Sequence, residues 1–546
     1  MNELINFQKK ADGIADFVKS SSYFSETQKD EIEKKVAQFA DDLHTMEYIK
    51  VPFVGFFNAG KSSLLNIFTQ KPEMLPINIV PETAVAYEIY YGETECACLY
   101  RNDVKIDTKP LADIRQLDTM PGDIVKVFCK SDTVKEYQEK GIILVDMPGL
   151  GSGIERHDAA IFNYIKSGTA FVLVVDIEQG MLRKSTLAFT EELSRYGMMP
   201  AVMVSKIDQK PEQEIKNVVE YITYQIKRYN NNQEPYVSTV CAVNNNIKGL
   251  TDYLHTLNAE ELIARRINKK LEYIAASAIE CLDVKIQLRK QDIEDVEGKL
   301  KKLEEEIANV KAELPADGIK VDTPEESTQD ILDNVKTALS AKAEDIAQMI
   351  IDKSETEEIK AVITSVVRAE IIASLKEESE QYSTAIGSVV QESVKKIAEI
   401  EVTADFMDGF NDIYNLVYSY IDGLLDNGHV WGKIAKVILP FLPNLINYLF
   451  GKSDEEILGE VKNKIISIGA TQLAEGLRPT LLNMTLENQK RIKEKIHEEI
   501  VAKMEKVKDG LREKISDAGK SKEVVENELA ALNGAVEELK AMVADE

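Results

Sequence analysis

From Gly55 to Ser62 the chain reads Gly-Phe-Phe-Asn-Ala-Gly-Lys-Ser, in the middle of the otherwise apolar stretch 51–68. This is the Gly-x-x-x-x-Gly-Lys-Ser spacing of a loop that cradles phosphate. Gly60 is expected to bend the backbone where a Cβ would clash, so that successive N–H groups face one anion. Lys61 would reach the β- and γ-phosphates, Ser62 would hold Mg2+, and the N-terminus of the following helix adds positive potential. Gly55, Asn58, Ala59, Gly60, Lys61, Ser62 and Ser63 form the expected nucleotide-contacting set. An ordinary glycine turn with a solvent-facing lysine is the plain alternative. The strand pattern before the loop and the helix pattern after it argue against that.

A phosphate loop alone fits ATP and GTP chemistry equally, so the discriminating residues come later. Asp146-x-x-Gly149 ends an apolar run; Asp146 can order a water on Mg2+, and the Gly149 N–H can approach the γ-phosphate with no side chain in the way. Ser205-Lys206-x-Asp208 ends the next such run but one. A carboxylate there accepts from both the N1–H and the exocyclic amine of guanine, a pair that adenine lacks, and the Lys206 stem packs along the base. Thr83, in the proline-marked loop Val-Pro-Glu-Thr, is the candidate that completes the Mg2+ shell and closes over the γ-phosphate. Its alternative is an ordinary turn threonine. Cys241 and Ala242 are the candidates for the last loop touching guanine. The expected ligands are GTP or GDP with Mg2+, and the catalytic set is Lys61, Ser62, Thr83 and Gly149, acting by positioning and electrostatics.

These residues need a sheet to align them. Over residues 47–255 the texture is short apolar runs separated by glycine and polar turns, alternating with helical stretches at 184–196 and 211–229. Runs such as Gly-Ile-Ile-Leu-Val-Asp and Phe-Val-Leu-Val-Val-Asp read as buried parallel strands, with added strands near 86–106 at one edge. The fold class is an α/β P-loop GTPase domain with a mixed, mostly parallel sheet and helices on both faces. Residues 1–46 read as two helices, with Ser25 or Thr27 as N-cap.

After residue 255 the strand pattern disappears and long, charged, amphipathic helices follow, giving extended all-α bundles. Apolar seams run from Ile286 to Leu314 and from Val525 to Val543; their spacing suits either a coiled coil or a bundle helix, and a bundle is expected. The polar stretch 314–330, with two prolines and a glycine, is the candidate hinge. One stretch breaks the amphipathic rule. Residues 430–450 are apolar on almost every side and hold the chain's one tryptophan, while Pro440 and Pro443 argue against a single spanning helix. A hairpin tip fits, with Trp431 at a headgroup interface and Ile438, Leu439, Phe441 and Leu442 entering the acyl region. The alternatives are a buried hairpin or a protein interface.

With 546 residues the chain is long enough for several domains, and its net charge of −27 excludes a general nucleic-acid binder. The same charge disfavours simple electrostatic adhesion to anionic lipid, so membrane contact must rest on apolar burial. Cys96 and Cys98 share a strand face but lack further ligands; with Cys129, Cys241 and Cys281 they read as reduced thiols of a cytoplasmic protein. No secretion signal is expected from the acidic N-terminal helix pattern.

The stretches Gly-Phe-Phe-Asn-Ala-Gly-Lys-Ser-Ser-Leu-Leu-Asn, Val-Pro-Glu-Thr-Ala-Val, Asp-Met-Pro-Gly-Leu-Gly-Ser-Gly and Ser-Lys-Ile-Asp, followed by several hundred residues of helix, resemble the bacterial dynamin-like GTPases of the dynamin superfamily. The resemblance implies a GTPase head at 47–255 on a neck built from 1–46, 256–315 and 501–546. It implies a trunk at 316–500, with 430–450 as a membrane tip, and head-to-head association into homo-oligomers. A second dynamin-like chain as partner and a peripheral position at the cytoplasmic face of a membrane belong to the same expectation. Phe57 and Asn58 stand where eukaryotic dynamins carry glutamine and serine. The competing functional class is a regulatory GTPase switch whose helices bind a protein; a chromosome-maintenance type ATPase fits the seams but leaves Asp208 unexplained.

Overall fold

The computed structural model describes residues 2–45, 47–56, 58–76, 85–101, 104–120, 123–149, 164, 170–195, 198–229, 233–290, 295–312, 322–398 and 454–544. Two helices, α1 (Asn2–Ser20) and α2 (Glu26–Thr45), precede the sheet. The start of α2 differs from the expected cap: Ser25 Oγ makes no hydrogen bond, and the Gln28 side chain instead reaches back to accept from the Ser25 N–H at 3.0 Å. A longer amide arm satisfies an orphan donor from inside the helix.

The head alternates strand and helix in the order β1 (Ile49–Val54), α3 (Lys61–Phe68), β2 (Ala86–Tyr91), β3 (Cys96–Arg101), β4 (Val104–Pro110), β5 (Ile124–Cys129), α4 (Asp132–Glu139), β6 (Ile142–Asp146) and β7 (Val172–Asp176). It continues through α5 (Lys184–Arg195), β8 (Ala201–Ser205), α6 (Glu212–Tyr229), β9 (Val237–Thr239) and α7 (Lys248–Thr256). Among the described residues the strands form one nine-stranded sheet, in the order β4-β3-β5-β2-β6-β1-β7-β8-β9. The block β6-β1-β7-β8-β9 is parallel throughout, and the antiparallel pairs lie towards β4. Parallel strands buried on both faces need apolar residues at every position, which explains the unbroken apolar runs. Alternate residues then serve two cores: Phe53, Leu144, Val174 and Met203 face α3, α4, α7 and the N-terminal helices, while Val54, Val145, Val175 and Val204 face α5 and α6.

The register aligns strand ends. Phe53 lies opposite Asp146, and Asp176 lies opposite Ser205, so β1, β6, β7 and β8 finish at one edge of the sheet. That edge is where an open α/β sheet leaves a crevice for ligand.

Beyond the head come α8 (Ala259–Lys290), α9 (Val296–Ala312), α10 (Pro324–Ala341), α11 (Ala343–Ile351), α12 (Thr356–Ala398), α13 (Asp454–Lys464), α14 (Ala470–Asp517) and α15 (Lys522–Val543). The first expected seam is not one helix: α8 stops at Lys290, and α9 restarts after Asp295, which has φ 51° and whose side chain accepts from the Gly298 N–H at 3.1 Å. The candidate hinge is also shorter on its C-terminal side than the sequence suggests. Thr323 and Glu326 form a capping box that starts α10 at Pro324, because the hydroxyl and carboxylate satisfy each other's orphan N–H groups. Leu532, Val536 and Leu539 of α15 are buried in a core shared with α1, α2 and α8. Helices α10, α11, α12 and α14 share the other core with α5, so helical chain packs directly on the head. No helix among the described residues is long and apolar enough to cross a membrane.

Candidate functional site

The loop from Gly55 to Gly60 leaves β1 and enters α3. Gly55 is required by close approach: a Cβ there would stand 2.3 Å from the Val174 carbonyl oxygen on β7. Gly60 differs from expectation in its reason. A Cβ there would meet nothing within 4 Å, but its φ of 90° is left-handed, the region open to glycine. Asn58 is left-handed as well, at φ 65°. The loop is closed by Ala59 N–H donating to the Phe56 carbonyl at 3.1 Å.

Lys61 is 7% exposed, and its Nζ donates to the carbonyls of Gly55 at 2.9 Å and Phe56 at 3.2 Å. Burial pulls its ammonium below the ordinary lysine range, partly opposed by the Asp146 carboxylate. Ser62 Oγ donates to Asp146 Oδ2 at 2.6 Å. Burial pushes the Asp146 carboxyl up to about 6, against the opposing pull of Lys61 and the Ser62 hydroxyl. Asp146 Oδ1 is buried without a hydrogen-bond partner. A buried cation held by carbonyls and a half-satisfied carboxylate beside a hydroxyl fit a phosphate and a hydrated Mg2+. Gly149 ends the described segment after β6; Thr83 and Phe57 lie outside the described residues.

At the other end of the crevice, Lys206 is left-handed at φ 57°, and its Nζ donates to Asp176 Oδ2 at 2.6 Å. Asp208 is exposed in the short 3-10 turn Ile207–Gln209 and accepts from Cys241 Sγ at 3.0 Å. Cys241 is fully buried, and Ala242 is half-buried beside it. Ser205 Oγ donates to the Ala59 carbonyl at 2.7 Å, tying the end of β8, just before the turn that carries Asp208, to the phosphate loop. The structure therefore gathers Lys61, Ser62 and Asp146 at one end, and Lys206, Asp208 and Cys241 at the other. Asp176 and Ser205 are participants that sequence reasoning did not assign. Each ends a strand flush with the crevice, which was the available signal. Trp431, Ile438, Leu439, Phe441 and Leu442 lie outside the described residues.

Residues 51–207 match the model of the dynamin family. An uncharacterized protein in the xynA 3' region of Caldicellulosiruptor sp. (strain Rt8B.4) is 22% identical over 305 residues, 54% of this chain and 69% of its own. A solved structure of an oligomerised bacterial dynamin pair, described as a mechanism for long-range sensing and tethering of membranes, aligns over 99% of this chain and 82% of its own. Its identity is 14% and its TM-score 0.34. Aquifex aeolicus Era bound to GDP.AlF4- aligns over 45% of this chain and 69% of its own, at 12% identity and TM-score 0.23. The family match lies within the head. The match to the dynamin family thus spans the part of the head that holds the phosphate loop, Asp146 and Lys206.

Proposed function

We propose that the protein is a Mg2+-dependent, guanine-specific GTPase that couples nucleotide turnover to a membrane surface through its helices. The observation that carries the site assignment is the pairing of Ser62 with Asp146 beside buried Lys61, with Asp146 Oδ1 left for a further donor. In this reading Lys61 leaves the Gly55 and Phe56 carbonyls for the β- and γ-phosphates, and the N–H groups from Asn58 to Ser63 surround them. Ser62 and Thr83 hold Mg2+ directly and Asp146 through water, and the ion neutralises phosphate charge when bound. Gly149 senses the γ-phosphate through its N–H. Asp208 selects guanine, Lys206 lies along the base, and Cys241 and Ala242 close the far side. Catalysis then rests on positioning and electrostatics.

The membrane part of the reading is supported by the apolar stretch 430–450 and by the helical remainder beyond the head. Association of heads across the nucleotide, a second dynamin-like chain as partner, and a peripheral site at the cytoplasmic face complete it. The test is GTP turnover with and without liposomes, together with Trp431 emission. A blue shift and liposome-stimulated turnover support the reading. GTP turnover with no lipid response in either measurement favours the switch that binds a protein instead.

A further inference from the structure

Arg183 stands just before α5, at the wall of the phosphate loop. Its guanidinium carbon lies 4.4 Å from the centre of the Phe56 ring, the stacking distance at which a cation is held by an aromatic face. Phe56 is part of the loop itself: its carbonyl accepts from Lys61 Nζ and from the Ala59 N–H. On its other side Arg183 Nη1 lies 3.6 Å from Glu358 Oε2, in the first turn of α12. One cation thus bridges the phosphate loop and a helix outside the GTPase domain.

That helix is not free to drift. Arg368, further along α12, makes a buried two-point pair with Glu192 of α5. Lys342 Nζ reaches Glu191 at 2.7 Å and Lys184 Nζ reaches Asp345 at 3.1 Å, also across the junction. Glu358 is therefore presented to Arg183 by a seat that the rest of α5 makes rigid. Arg183 keeps 35% of its side chain exposed, so its contacts are the adjustable part of the junction.

We propose that Arg183 is a positioning residue for the nucleotide, holding Phe56 and with it the phosphate loop, and that Glu358 of α12 sets that hold. The proposal rests on the nucleotide site described above. The coupling is reciprocal: whatever Glu358 contributes to nucleotide affinity, bound nucleotide returns to the Arg183–Glu358 contact. Helical chain packed on the head then reads the loop directly.

The experiment is titration of the full chain with a fluorescent GDP in Mg2+ buffer, with melting temperature recorded for every variant. Arg183→Ala is expected to weaken binding up to about fivefold, the scale of one partly exposed cation–aromatic contact. Arg183→Lys restores most of it, because charge over the ring is kept. Glu358→Gln weakens binding severalfold, and Arg183→Ala with Glu358→Gln is no weaker than Arg183→Ala alone. Phe56→Leu, which removes the ring and keeps an apolar side chain, reproduces the loss and serves as the comparison should Arg183→Ala melt early. Wild-type affinity in both Arg183→Ala and Phe56→Leu overturns the positioning role. Full additivity of the Arg183 and Glu358 substitutions overturns the link to α12. Lys61→Ala is the control: if it binds GDP like the wild type, the site itself is misassigned, whereas loss confined to Lys61→Ala removes the Arg183 proposal alone.

Discussion

Arg368 on α12 donates through Nε and Nη2 to both carboxylate oxygens of Glu192 on α5, at 2.5 and 2.6 Å, with the two side chains 3% and 1% exposed. The pair joins residues 176 positions apart and sits at the junction of the GTPase domain with the helices beyond it. Desolvating both ions offsets much of their attraction, so the pair specifies geometry more than it adds stability. Removing one partner is different. Arg368→Ala or Glu192→Ala should each cost about 3–5 kcal/mol, whereas Arg368→Met with Glu192→Leu should cost far less. Urea unfolding of the three variants measures this, and equal loss in all three would mean that the ionic pair itself carries the junction.

Guanine selection turns on Asp208. Asp208→Asn should lower affinity for GDP by about 10- to 100-fold, because charged hydrogen bonds to two donors become neutral and mismatched. Affinity for xanthine nucleotides should rise, since the amide can donate to their 2-oxo group. Competition of fluorescent GDP by XDP and ADP reads both effects; equal affinity of the wild type for ADP and GDP would remove the guanine assignment.

The Cys241 thiol donates to Asp208 at 3.0 Å. A hydroxyl is the stronger donor, so Cys241→Ser should bind GDP at least as tightly as the wild type. Cys241→Ala leaves the carboxylate less restrained and should weaken GDP a few-fold, with the same preference over ADP. Loss of guanine preference in Cys241→Ala would give the thiol a larger role than orienting Asp208.

Mg2+ dependence separates the two ends of the crevice. Chelation by EDTA should sharply reduce nucleotide affinity of the wild type but change that of Ser62→Ala much less, since the hydroxyl ligand is already missing. Thr83→Ala should spare GDP binding and impair hydrolysis, because Thr83 is assigned to the γ-phosphate state. Normal turnover in Thr83→Ala would place the closing threonine elsewhere.

Part of the acid sensitivity should arise at Glu280 of α8. Burial pushes the Glu280 carboxyl up, but Lys506 and Lys503 of α14, at 2.8 and 3.1 Å, outweigh it and hold the carboxyl below its ordinary 4.5. A depressed carboxyl contributes stability above the unfolded value and loses it as pH falls through the folded one. The stability gap between wild type and Glu280→Gln should therefore be full at pH 6 and shrink below about pH 4.5. A gap independent of pH would assign the effect to packing.

By itself the sequence determined what depends on neighbours in the chain. The Gly55–Ser62 loop, Asp146, and Lys206 with Asp208 are legible because each motif follows an apolar run, and parallel strands that end together bring such positions to one crevice. The start and stop of α5 and α6 were legible within a residue or so for the same local reason. Tertiary structure alone decided which charges meet. Arg183, Glu192, Glu358 and Arg368 look in sequence like the solvated faces of amphipathic helices, and no spacing rule links partners more than a hundred residues apart. The need for glycine at position 55 was equally invisible, since it comes from the Val174 carbonyl on a neighbouring strand. Local sequence sets backbone conformation and apolar periodicity, whereas the pairing of distant side chains is set by how whole faces pack. That packing couples a helix outside the GTPase domain to the phosphate loop.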